Sequence, residues 1–192
     1  MEVYLIRHTA VQAAGLCYGH CDVPLADTFA AEAAQLQAKL TRLVSPSPSG
    51  YRTFSSPAQR CLALAQALAT DITPDERLRE MHFGTWENRL WNDLPPAETT
   101  PWMADYVTLA PPQGETFGAV QQRAAAFLTE LVSADLGSEP ILVVTHGGTI
   151  RALVCHCLQI PLQNAFQLGI DYGSITRLKW QHERWQVLGL NG

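Results

Sequence analysis

Three short runs in this 192-residue sequence join residue types that do chemistry on anions. They are Arg7-His8, Ser55-Ser56 leading to Arg60, and His146-Gly147-Gly148. A histidine with its unperturbed pKa of about 6.5 is largely neutral at pH 7 and can act as a nucleophile. Arginine presents a planar fork of N–H donors that fits oxyanions two oxygens at a time. Two histidines and two arginines gathered in one crevice would make an anion site containing a nucleophile. Arg60 falls in the first turn of a candidate helix, where a cation is mildly disfavoured, and this points to an anionic partner. Gly147, lacking a side chain, lets backbone come close to such a site.

These runs need elements to position them, and each follows a strand-like segment. Val3–Ile6 is a short apolar run, Tyr51–Phe54 a second strand candidate, and Pro140–Thr145 a continuous apolar run that fits a strand covered on both faces. Ligands of open α/β sheets bind at the carboxyl ends of strands, so Arg7, His8, Arg60 and His146 are predicted to converge. Helices are predicted from about Phe29 to Val44, from Ser56 to about Ala69, from Thr116 to about Leu136, and after His146 to about Leu158. Ser56-Pro57-Ala58-Gln59 has the spacing of a capping box for the second of these. Ser45–Gly50 reads as a loop. Ser174–Trp180 and Trp185–Leu190 read as an antiparallel pair with His182 in its turn. The pattern weakens from Asp71 to Pro112, and prolines and aromatics crowd about 88–113, read as an irregular, lid-like excursion with at most one short helix. One domain over 1–192 is expected, a three-layer α/β/α fold with a mostly parallel central sheet.

The motifs Leu5-Ile6-Arg7-His8-Thr9, Ser55-Ser56-Pro57-Ala58-Gln59-Arg60, Glu80-Met81-His82-Phe83-Gly84-Thr85-Trp86-Glu87 and Val144-Thr145-His146-Gly147-Gly148 span nearly the whole chain. In this order they resemble the histidine phosphatase, or phosphoglycerate mutase-like, superfamily. The resemblance implies that His8 attacks phosphorus and carries the phosphoryl group, and that Arg7, Arg60, Gly147 and the family's second histidine, His146, surround it. It implies Glu80 as the proton donor, with Glu76 and Glu87 as nearby carboxylates that could be mistaken for it. No metal or cofactor is implied, because arginines supply the positive charge. Thr9, Ala10 and Ala14 depart from the family's Gly, Glu and Asn, and the Thr9 hydroxyl is the candidate to replace a lost phosphate contact. The Gly15–Leu25 segment and Pro112-Gln113-Gly114-Glu115-Thr116 are further similar to α-ribazole phosphatases of cobalamin assembly. Tyr18, His20, His82, Trp86 and Trp102 are the candidate substrate-pocket residues.

Composition narrows the partners. A formal net charge of -5 argues against general affinity for nucleic acid or anionic membranes, so a phosphate site has to be built locally. The expected partner is a small phosphate ester. No segment reaches the length of a membrane span, the amino terminus reads as a strand and not a signal peptide, and five irregularly spaced cysteines suit a reducing cytoplasm. A monomer or homodimer is expected. Cys17-His20-Cys21 and Cys155-His156-Cys157 lack full zinc-ligand spacing, so no metal site is predicted. Two competing functions remain: a cofactor-dependent phosphoglycerate mutase, disfavoured because Arg89 is the sole basic residue between 88 and 113, and a non-catalytic phospho-ligand module.

Overall fold

The computed structural model describes residues 1–44, 51–134 and 139–192. Among these described residues six strands form one sheet: β1 (Glu2–Arg7), β2 (Arg52–Ser55), β3 (Ile72–Pro74), β4 (Ile141–Thr145), β5 (Ile175–Gln181) and β6 (Arg184–Gly189). Their order is β3-β2-β4-β1-β5-β6. The β3–β2, β2–β4 and β4–β1 pairs are parallel, and β1–β5 and β5–β6 are antiparallel. The mostly parallel sheet is therefore observed. Among the described residues five α-helices accompany it: α1 (Phe29–Leu43), α2 (Gln59–Leu68), α3 (Pro96–Ala104), α4 (Phe117–Ser133) and α5 (Gly147–Leu158).

The two-residue period of a strand sends alternate side chains to opposite faces, and here both faces are apolar. Val3 and Leu5 of β1 with Ile141 and Val143 of β4 pack against Phe127, Leu128, Ile150 and Leu153 of α4 and α5. Tyr4, Ile6, Leu142 and Val144 pack on the other side against Leu36 and Leu40 of α1 and Leu64 of α2. Helices thus cover both faces, giving the three layers. The hairpin joining β5 to β6 turns at His182 and Glu183, both with positive φ (52° and 56°) as a tight two-residue turn requires.

Two local expectations are corrected. The capping box at Ser56 does not form: α2 begins at Gln59, with Ala58 at its N-cap and no side-chain cap. Ser56 Oγ accepts from the Ala58 N–H at 3.3 Å but is also bonded to a histidine ring, which takes it out of the helix start. Strand β3 lies inside the stretch that showed no pattern, being only three residues long. The helix begun at Thr116 ends at Ser133, whereas Leu136 lies outside the described residues, as does the Ser45–Gly50 loop. Residues 88–113 contain a 3-10 turn, Trp91–Asp93, and α3, whose first residue is proline.

Thr116 caps α4 through its side chain, Oγ1 accepting from the Ala119 N–H at 3.0 Å. Thr116→Ala is expected to cost about 1 kcal/mol of stability. Denaturant unfolding checks this, and an unchanged midpoint would contradict it.

Candidate active site

β2, β4 and β1 are adjacent parallel strands in a register that pairs Ser55 with Val144 and Arg7 with Thr145. Their carboxyl ends release Ser56, His146 and His8 side by side. The His8 and His146 rings meet edge to face with centroids 5.3 Å apart. Arg60, fully buried in the first turn of α2, donates from Nη2 to His146 Nδ1 at 3.2 Å. Arg7 follows from its place beside His8 at the end of β1.

His8 is buried, and its Nδ1 lies 2.8 Å from the Thr9 carbonyl. A carbonyl oxygen only accepts, so Nδ1 carries the proton and Nε2 keeps its lone pair. Burial, and then the Arg60 and Arg7 charges, push this imidazole down to about 3. At neutral pH it is an uncharged imidazole with an unprotonated Nε2. His146 is held well below its ordinary value by burial first and then by Arg60 and His8.

Neither Arg7 nor Arg60 has a carboxylate partner among the described residues. Backbone carbonyls hold them instead. Arg7 Nη1 donates to the Ile170 carbonyl at 2.6 Å, and Arg60 donates to those of Gly19 (2.6 Å) and Cys21 (3.0 Å). Carbonyls fix geometry without cancelling charge. Arg7 Nε, Arg60 Nε and the Thr9 hydroxyl are buried with no hydrogen-bond partner, as groups reserved for a ligand would be.

The second histidine has a partner on each ring nitrogen. Arginine can only donate, so His146 Nδ1 accepts and the ring proton sits on Nε2, which donates to Ser56 Oγ at 2.8 Å. Both ring nitrogens are therefore occupied in this arrangement. Gly147 serves the neighbouring arginines: a Cβ there would stand 3.2 Å from Arg7 Nε and 3.1 Å from Arg151 Nη1.

Of the three candidate acids, only Glu80 lines the cavity in front of His8. Glu76 pairs with Arg79 on the surface, and Glu87 accepts backbone N–H groups of His20, Cys21 and Phe83. Glu80 accepts from Met81 N–H at 3.1 Å and from Gly148 N–H at 2.9 Å. Its carboxylate lies so near Gly148 that a Cβ there would sit 2.3 Å from Oε1. Arg123 fixes the segment carrying it, donating to the carbonyls of Arg77, Arg79 and Glu80 while paired with Glu115 at 2.7 Å.

The cavity holds about 150 Å³, with Arg7, His8 and Glu80 in its lining. Tyr18, Phe83, Trp91, Trp102 and Tyr106 add aromatic walls, and Trp91 and Trp102 stack at 28°. Tyr18 and Trp102 thus reach the pocket as expected from sequence. Three candidates do not. Trp86 is fully buried beside Cys17 and Leu94, its indole N–H donating to Glu98. His20 and His82 are not in the cavity lining; their rings pack against each other at 4.6 Å beside Glu115, which accepts the His82 N–H at 2.9 Å. Sequence reading missed Ser56 as the His146 partner, Arg151 on the cavity lining, and Tyr172 against Arg7. Arg151 stands four residues after Gly147, on the same helix face, a signal that could have found it. Tyr172 precedes β5 in a turn, where no periodicity announces it.

The chain belongs to the histidine phosphatase superfamily (branch 1), which it matches over residues 3–192. Its fold is that of the α-ribazole phosphatase from Shigella flexneri, with a TM-score of 0.88 and 26% identity, covering 100% of this chain and 96% of that one. It is also similar to a mycobacterial glucosyl-3-phosphoglycerate phosphatase in complex with VO3, with a TM-score of 0.85 and 26% identity over 100% of this chain and 98% of the other. A Photorhabdus laumondii protein named "Probable phosphoglycerate mutase GpmB" is 29% identical over 98% of this chain and 89% of its own length.

The buried neutral histidine has a consequence for stability. Between about 3 and 6.5 the unfolded chain takes up a proton on His8 that the folded chain refuses. Stability is therefore expected to fall as pH drops below 6.5, approaching about 1.4 kcal/mol per pH unit for each such histidine. Denaturant unfolding of the phosphate-free protein between pH 7 and pH 5 measures the slope, and His8→Gln should make it shallower. Identical slopes would contradict the assignment.

Proposed function

We propose that this chain is a metal-independent phosphomonoesterase working through a phosphohistidine on His8. The observation that carries the reading is a neutral His8 with its lone pair on Nε2, set beside two arginines that no carboxylate among the described residues neutralises. Nε2 attacks phosphorus in line with the ester oxygen, forming an N–P bond as the P–O bond breaks. Arg7 and Arg60 hold the equatorial oxygens, where charge persists through the transition state. Glu80 gives its proton to the departing alkoxide and then, as carboxylate, takes a proton from water. That water breaks the N–P bond, and inorganic phosphate leaves.

We infer that the leaving group is α-ribazole, so that the substrate is α-ribazole 5'-phosphate. Support comes from the Gly15–Leu25 segment, from the likeness to the Shigella flexneri enzyme, and from aromatic walls suited to a benzimidazole. No helix among the described residues is long and apolar enough to cross a membrane, and the five cysteines are free, which suits a reducing cytoplasm. The mutase reading is weaker, because Arg89, the basic residue of 88–113, is tied to the Asp93 carbonyl at 2.9 Å.

Phosphate release in the presence of a chelator tests both levels of this reading. Turnover is expected to persist, and Arg60→Met to lower kcat by roughly 10²–10³. Across α-ribazole 5'-phosphate, phosphoserine and phosphoglycerates, the first is expected to show the highest kcat/KM. Equal values would remove the α-ribazole assignment, and phosphoglycerate interconversion outrunning hydrolysis would establish the mutase.

A further inference from the structure

The two arginines beside His8 each lie against a tyrosine, and the two tyrosines are hydrogen-bonded to each other. Arg7 Cζ sits 3.6 Å from the centre of the Tyr172 ring, and Arg60 Cζ sits 5.2 Å from that of Tyr18. The phenol oxygens are 2.7 Å apart, closing a bridge between positions 154 residues distant in sequence. Tyr172 also packs against the His8 ring, tilted at 54° with centroids 5.5 Å apart. We propose that Tyr172, bridged to Tyr18, is a positioning residue that holds the Arg7 guanidinium in its phosphate-binding orientation. The proposal rests on the phosphatase reading in taking Arg7 as an arm of the phosphoryl site.

The physical case begins with what an arginine of this kind cannot use. A carboxylate would hold it firmly but cancel the charge that the phosphate needs. A carbonyl and an aromatic face attract the guanidinium and leave its net charge intact. Arg7 has both, the Ile170 carbonyl on Nη1 and the Tyr172 ring over its plane, and both come from one turn. That turn is itself anchored. Asn191 accepts from the Asp171 N–H at 2.9 Å and donates to the Gly169 carbonyl at 3.0 Å, while Gly173 N–H donates to the His8 carbonyl at 3.2 Å. Arg151 adds a hydrogen bond from Nε to the Leu168 carbonyl at 2.8 Å. The platform is thus fixed to the nucleophile's own backbone, and Tyr172 transmits that position to Arg7. Tyr172 is 42% exposed, too open to serve as a core residue, so its packing alone does not explain its place.

Calorimetric binding of inorganic phosphate, alongside kinetics on 4-nitrophenyl phosphate, tests this with the full chain. Tyr172→Leu, which removes the ring, is expected to weaken phosphate binding about tenfold and to raise KM more than it lowers kcat. Tyr172→Phe keeps the ring face and loses only the bridge, so it should recover affinity to within about threefold of the original. Phosphate affinity in Tyr172→Leu equal to that of the parent would overturn the proposal, as would a Phe variant no better than Leu. Binding does not require turnover, so a parent chain that binds phosphate without hydrolysing the ester would sink the phosphatase reading and leave the positioning role to be decided by affinity alone.

Discussion

Two guanidinium charges held in a largely buried crevice with no carboxylate partner among the described residues are the constraint on which this site depends. Taking a charge out of water costs several kcal/mol per ion unless something replaces its hydration. Here the replacement is a set of carbonyl oxygens and aromatic faces, which hydrate the arginines without neutralising them. Arg60 receives the Gly19 and Cys21 carbonyls, and Arg7 receives that of Ile170. The same charges, added to burial, keep His8 and His146 unprotonated. A carboxylate placed against either arginine would offset that desolvation cost and cancel part of the charge that helps keep His8 and His146 neutral.

The rest of the fold can be understood as the means of supplying those oxygens. Three parallel strands end in register so that the reactive side chains emerge together, and the apolar layers on both faces make that register rigid. Loops then deliver carbonyls. Glu87 accepts the N–H groups of His20 and Cys21 and so fixes the loop whose carbonyls grip Arg60. Glu115, through Arg123, does the equivalent for the segment carrying Glu80. Glu87 and Glu115 thus act one step back from the crevice, on backbone and on an outer arginine, while Glu80 is the carboxylate that lines it.

How much of this was legible in sequence follows the range of the interactions. Strand ends, helix faces and the Arg7-His8, Arg60 and His146 set were readable because local periodicity and strand order determine them. Ser56 was misread as a helix cap: serine followed by proline has that chemistry locally, and only the distant His146 redirects it. Trp86, His20 and His82 were taken as pocket residues from their neighbourhood in sequence, but Trp86 is buried with its indole on Glu98 and neither histidine lines the cavity. Tyr172 had no local signal at all, since its meaning comes from contact with Arg7 across 165 positions (172 − 7). Glu80 lay between: the motif named it, and the cavity separated it from Glu76 and Glu87.

The central claim is that His8 Nε2 becomes covalently phosphorylated. Quenching the protein during turnover of a phosphate ester and mapping the adduct by mass spectrometry tests it directly. The account predicts one acid-labile, base-stable phosphoryl group on His8, absent in His8→Ala. Turnover with no adduct on His8, and full activity retained in that variant, would contradict it.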